Sequence, residues 1–170
     1  MAGLSVYDTN IVLLRRGMTT LANILKKAAE HPDAASFPDA KLCEDMLPLT
    51  FQVQTASNTA KKSVWRLTGE EAEVWEDNEK TLDELIARCE KTVALLKAVD
   101  PKKVEGKETA TVELSLGPAG TKHLSGKDYV LTYAVPNFFF HLQTAYSILR
   151  MKGVPLGKVD YLGTFMNPEA

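Results

Sequence analysis

Cysteine is scarce: Cys43 and Cys89 are the only two in 170 residues, and they form no CxxC or zinc-type spacing. Free thiols suit a reducing compartment, so an intracellular, cytoplasmic protein is expected. A basic surplus is missing too. With 20 Lys and Arg against 22 Asp and Glu the formal charge is -2, which offers phosphate backbones no attraction and excludes nucleic acid as a partner on bulk electrostatics. No apolar run approaches the length of a membrane span, and the opening "MAGLSVYDTN" has neither the basic nor the hydrophobic region of a signal peptide. No membrane partner is expected. GxSxG, HExxH, P-loop and Rossmann glycine patterns are absent, as are internal repeats and low-complexity tracts.

What is present is ordinary globular composition and strong helical periodicity. The length suits one domain over residues 1–170, with flexible or extended tails at 1–4 and 164–170. From Ser5 to Glu30, Ile11, Leu14, Met18, Leu21 and Leu25 recur at three- and four-residue steps, which predicts an amphipathic helix ending near Pro32. A second helix is predicted over Asp45–Leu67 on the stripe Leu49, Val53, Ala56, Ala60, Val64 and Leu67, with Pro48 in its first turn and Gly69 at its end. The acidic stretch "EEAEVWEDNEK" reads as a solvated loop anchoring Trp75, with Asp77 and Glu79 as possible caps. Thr81 and Glu84 then have capping-box spacing and open a third helix.

"TATVELSL" and "TKHLS" alternate like the strands of a hairpin around "GPAG". Ser125 and Asp128 repeat the capping-box pattern and open a last long helix to Lys152, where Pro136 predicts a kink. The tail "GVPLGKVDYLGTFMNPEA" has no period and reads as an extended wrap. Four long helices in an up-down bundle, with the hairpin between the third and fourth, are the expected fold.

The three histidines differ in promise. His31 falls at a helix C-terminus and His123 in the hairpin, where neither needs chemistry. His141 follows the triplet Phe138–Phe140. Tyr133, Asn137 and His141 are spaced by four and share a helix face that borders the apolar stripe of Phe138, Leu142, Ala145 and Leu149. Gln52, Gln54 and Asn58 flank the stripe of the second helix, so amide groups must be satisfied beside the core. Two readings stay open. His141 is a neutral, partly buried ring bonded to a glutamine or a backbone carbonyl, or it works with Tyr146, Gln52 or Asn137 in a pocket between helices.

The blocks "EDMLPLTFQVQTA", "WEDNEKTLDELIARCEKT" and "VPNFFFHLQTAYSILRMKGVPLGKVDYLG", with the opening "SVYD", resemble the family called domain of unknown function nineteen-ninety-three. The resemblance runs from Ser5 to Gly163. It implies a branch of the DinB/YfiT-like superfamily of metalloenzymes, hence an all-α four-helix bundle and a homodimer. The superfamily's metal site uses one histidine on the second helix and an HxxxH pair on the last. Here His141 matches the first of that pair, but Ala145 stands at the second position and Gln52 or Gln54 replaces the remaining histidine. No metal and no cofactor are therefore expected.

The functional expectation is an enzyme acting on a small molecule in the bundle core. His141 and Tyr146 would be catalytic, and Gln52, Gln54, Asn137 and Tyr133 would bind substrate. Metal-independent isomerase, lyase or cyclase chemistry fits such a set. The alternatives are a non-catalytic small-molecule-binding or structural dimer, and a metal-dependent transferase or hydrolase of the superfamily's kind.

Overall fold

The predicted apolar stripes become buried faces. In the computed structural model, which describes residues 4–71 and 73–167, six helices and one two-stranded antiparallel sheet follow in sequence. The long helices are α1 (Leu13–Ala29), α2 (Leu49–Thr68) and α3 (Leu82–Lys97). Then come β1 (Thr111–Ser115), β2 (Thr121–Ser125), α4 (Gly126–Tyr129), α5 (Val135–Met151) and α6 (Lys158–Met166). The mainly helical fold with one small hairpin is as expected, and among the described residues the α-helices number six, because a π-helical segment splits the last long helix and the tail folds into a helix of its own.

The start and stop signals act as their chemistry requires. Thr81 and Glu84 form a reciprocal capping box. Ser125 Oγ accepts the Asp128 N–H at 3.0 Å. Gly69 closes α2 in the left-handed region, with φ 79°, and donates its N–H to the Trp65 carbonyl. Pro48, with ψ 172°, is extended and lies ahead of α2 rather than in its first turn, so residues 45–48 stay outside the helix.

Where a kink is predicted at Pro136, the π-helical segment Val130–Ala134 lies immediately ahead of it. The wider i+5 register gives the proline ring and the carbonyl it leaves unpaired more room than an α turn. A second π-helical segment, Tyr7–Val12, leads into α1 and touches the first.

The four long helices close a ring in which α1 packs on α3, α3 on α2, α2 on α5 and α5 on α1. Sequence neighbours α1 and α2 are therefore diagonal, which differs from the expected up-down order. The 30–48 connection is long enough to join them. In the hairpin, Val112 and Leu114 point inward and Val112 pairs with Leu124.

The expected extended wrap is also corrected. Asp160 accepts the Gly157 N–H at 2.6 Å to start α6 and pairs with Lys27 at 3.1 Å, which seats the helix on α1. Residues 164–166 belong to α6, while 1–3 and 168–170 of the expected tails lie outside the described residues.

The Phe138–Phe140 triplet splits three ways. Phe138 is fully buried, Phe139 packs on Phe165 of α6, and Phe140 is 58% exposed. Burying a phenylalanine of this kind contributes about 1.5–3 kcal/mol. Its room comes from Gly17 of α1: a Cβ there would lie 2.8 Å from Phe138 Cζ and nearer still to Cε1. Gly17→Ala should therefore lower stability by about 1–3 kcal/mol in urea unfolding, despite alanine's better helix propensity. A stability equal to or above wild type would contradict this close packing.

Candidate functional site

α2 and α5 run antiparallel and meet along a polar seam. Two rungs join α2 to α5, Gln52 with His141 and Thr59 with Asn137, and a third, Ser63 with Tyr129, joins α2 to the end of α4. Tyr133 of the π-helical segment, read from the sequence as sharing a face with Asn137 and His141, stacks on Tyr129 at 6.1 Å between centroids. Asn137 Nδ2 donates to Thr59 Oγ1 at 2.9 Å, and the hydroxyls of Ser63 and Tyr129 lie 3.1 Å apart.

The first rung holds the imidazole. His141 is 8% exposed and Gln52 3%. Gln52 Nε2 donates to the Leu47 carbonyl at 2.9 Å, and a carbonyl can only accept. The amide oxygen must then face His141, whose Nδ1 lies 2.8 Å from Gln52 Oε1. An amide oxygen also only accepts, so Nδ1 carries the proton and Nε2 keeps its lone pair. Among the described residues no hydrogen-bond partner faces Nε2. Phe51 and Phe140 meet the imidazole edge-on at 5.9 and 5.2 Å between centroids. Burial pushes the imidazole pKa below its ordinary value.

Two expected site residues lie elsewhere. Tyr146 is five residues beyond His141, roughly 140° around the helix by the 3.6-residue period. It packs against Tyr161 of α6 at 5.8 Å and is not brought to the imidazole. Gln54 turns to the opposite side of α2 and donates to Glu79 Oε2 at 2.9 Å.

That side holds a residue the sequence reading missed. Arg88 of α3 is 4% exposed, and all its N–H groups are used. Nε donates to Ser57, Nη1 to the Glu76 carbonyl and Glu79, and Nη2 to Asn58 and Asp77. Asp77 and Glu79 are thus tied to Arg88, and the helix cap is left to Thr81 and Glu84. The signal for Arg88 was its face: Leu85, Arg88, Thr92 and Leu96 share one side of α3, and all four are buried.

The fold is mainly helical, and the comparisons agree with that fold. The chain belongs to the family described as a domain of unknown function (DUF1993), whose profile matches residues 6–162. A crystal structure of a DinB family member protein from Shewanella denitrificans is similar at 37% identity and a TM-score of 0.82, covering 92% of this chain and 91% of that one. The chain is thus a DinB-like branch. No curated protein matches it.

The three-ligand metal set that the superfamily resemblance implies does not fit these residues. Ala145 is buried and has no donor, and both polar atoms of the Gln52 amide are engaged. Among the described residues no group of three His, Cys, Asp or Glu side chains is placed to hold a metal ion.

A lowered imidazole pKa makes stability depend on pH. Between the folded value and the ordinary one near 6.5, the unfolded chain binds the proton that the folded chain refuses. Stability from this group is then complete above about pH 6.5 and is lost as pH falls through the folded value. Urea unfolding of wild type and His141→Gln from pH 8 to pH 5 should show a downward slope present only in wild type. Parallel profiles would contradict the assignment.

Proposed function

We propose that this chain is a metal-independent enzyme that moves a proton on a small organic molecule, with His141 as the base. The observation that supports it is the fixed tautomer, Nδ1–H on Gln52 Oε1 with the lone pair left on Nε2, in a ring flanked by the partly exposed Phe51 and Phe140. Nε2 takes the substrate proton and returns it to a neighbouring atom in an isomerisation, to the departing hydroxide, which leaves as water, in an elimination, or to the atom whose double bond opens in a ring closure. Gln52 positions the ring and stabilises the imidazolium only through a neutral amide. Such a base is weak and suits an already acidic C–H or O–H group. Asn137, which donates to Thr59, and Tyr133, stacked on Tyr129, continue the seam and would be the substrate-binding residues. The ring of long helices is the four-helix bundle of the DinB superfamily, and the free thiols Cys43 and Cys89 suit the cytoplasm.

A second reading, a dimeric binding or structural protein, is favoured by the apolar surface beside the same histidine. Leu47, Phe51 and Phe140 are 51%, 37% and 58% exposed. A homodimer joined here would exclude water from His141. Phe140→Ser should then halve the sedimenting mass at tens of micromolar, roughly the range of weak association; an unchanged monomer in wild type would end the dimer reading.

The enzyme reading is tested with a metabolite extract followed by mass spectrometry over time. Wild type should convert at least one compound to an isomer or a water-loss product, and His141→Gln should do so about 100-fold more slowly or worse. Equal conversion by both proteins, or none by wild type, would count against it.

A further inference from the structure

A second recessed site lies on the far side of α2 from His141. Asn58, Lys61, Lys62 and Trp65 recur on one face of that helix, and together with the loop carrying Trp75 and Asp77 they line a cleft of about 370 Å³. Lys61 is unusual within it. Its residue exposure is 6%, yet its Nζ donates to a neutral group, the Glu73 carbonyl at 2.8 Å. Among the described residues no carboxylate lies at ion-pair distance from it. An ammonium has three donors, so two remain after the Glu73 bond. A buried charge without a counter-ion is costly, and an anion placed beside it recovers that cost. The Lys61 pKa is lowered by burial first, then by the Arg88 and Lys62 charges, against the opposing pull of Asp77 and Glu73.

The other walls narrow the ligand class. Lys61 Nζ sits 4.9 Å from the Trp75 ring centroid, and Lys91 Nζ lies 4.2 Å from the same ring. The indole is held by its Nε1–H, which donates to Glu73 Oε2 at 2.8 Å. The acidic groups are mostly committed. Asp77 pairs with Arg88 and accepts from Asn58, and Glu73 pairs with Lys91 at 3.6 Å. Arg88 is shared by Asp77 and Glu79, so the cations Lys61, Lys62, Lys91 and Arg88 balance the carboxylates Glu71, Glu73, Asp77 and Glu79, and the attraction for an anion is the local one of the Lys61 donors. Two indoles offer flat apolar surface.

We propose that this cleft binds a small monoanionic carboxylate with a flat apolar body, the carboxylate on Lys61 Nζ and the body against Trp65 and Trp75. The site is separate from the His141 seam, so it adds a ligand to the reading above without depending on it.

The chain contains two tryptophans, and both line this cleft. Their fluorescence therefore reports on it directly. Titration with phenylacetate should give a saturable change, with half-saturation at about 1 mM for a ligand of this size. Phenylacetamide, the neutral isostere, should bind at least about ten-fold more weakly. Lys61→Met should remove the preference for the anion, Lys61→Arg should keep it, and His141→Gln should leave both curves unchanged. Circular dichroism checks that each variant is folded; should Lys61→Met fail to fold, the amide comparison and Lys61→Arg decide. No saturable change, equal binding of acid and amide, undiminished phenylacetate binding by folded Lys61→Met, or loss of binding in His141→Gln would each overturn the assignment.

Discussion

The Leu47 carbonyl sets the chemistry of the site from outside it. By accepting from Gln52 Nε2 it turns the amide oxygen toward His141, and that oxygen in turn fixes the proton on Nδ1. Three groups, on α2, on α5 and on the connection ahead of α2, thereby decide which imidazole nitrogen keeps its lone pair. The carbonyl is available because residue 47 precedes the extended Pro48, ahead of the first turn of α2. Had the helix begun at Asp45, the carbonyl of residue 47 would face the helix's own hydrogen-bond ladder. The end of a helix and the tautomer of a histidine are one constraint.

The opposite face of α2 is organised by a charge. Arg88 draws Ser57, Asn58, Asp77, Glu79 and the Glu76 carbonyl into one network, fastening the acidic loop to α2 and α3. Breaking a buried pair of this kind leaves uncompensated charge and costs about 3–5 kcal/mol. Lys61 lies beside this network and takes no carboxylate from it. α2 thus separates two surroundings of different character, a neutral imidazole on one side and a cleft lined by lysine and tryptophan on the other.

Much of this is legible in the sequence where local rules decide. Apolar stripes at three- and four-residue steps place the long helices, and alternation in "TVELS" places β1 with Val112 and Leu114 inward. Thr81 with Glu84 and Ser125 with Asp128 mark helix starts. The Tyr133–Asn137–His141 face is legible because four-residue spacing is a property of one helix. Its partners Thr59 and Ser63 are not, because the register of α2 against α5 is set by tertiary packing. Tyr146 is close to His141 in sequence, but its position around α5 turns it toward Tyr161 of α6 instead. Arg88 and Lys61 read as surface charges until the neighbouring elements cover them. α6 is short and interrupted by Gly163, so its start at Gly157 and Asp160 is its only strong local signal.

Everything proposed for the seam rests on the ring nitrogen that carries the proton. Long-range proton–nitrogen correlation spectra of the folded protein, labelled at histidine nitrogen and recorded at pH 7.5, distinguish the two neutral tautomers directly. The account predicts that His141 is neutral with the proton on Nδ1, and that Gln52→Leu removes this bias. A ring protonated on Nε2, or a cationic ring at that pH, would contradict it.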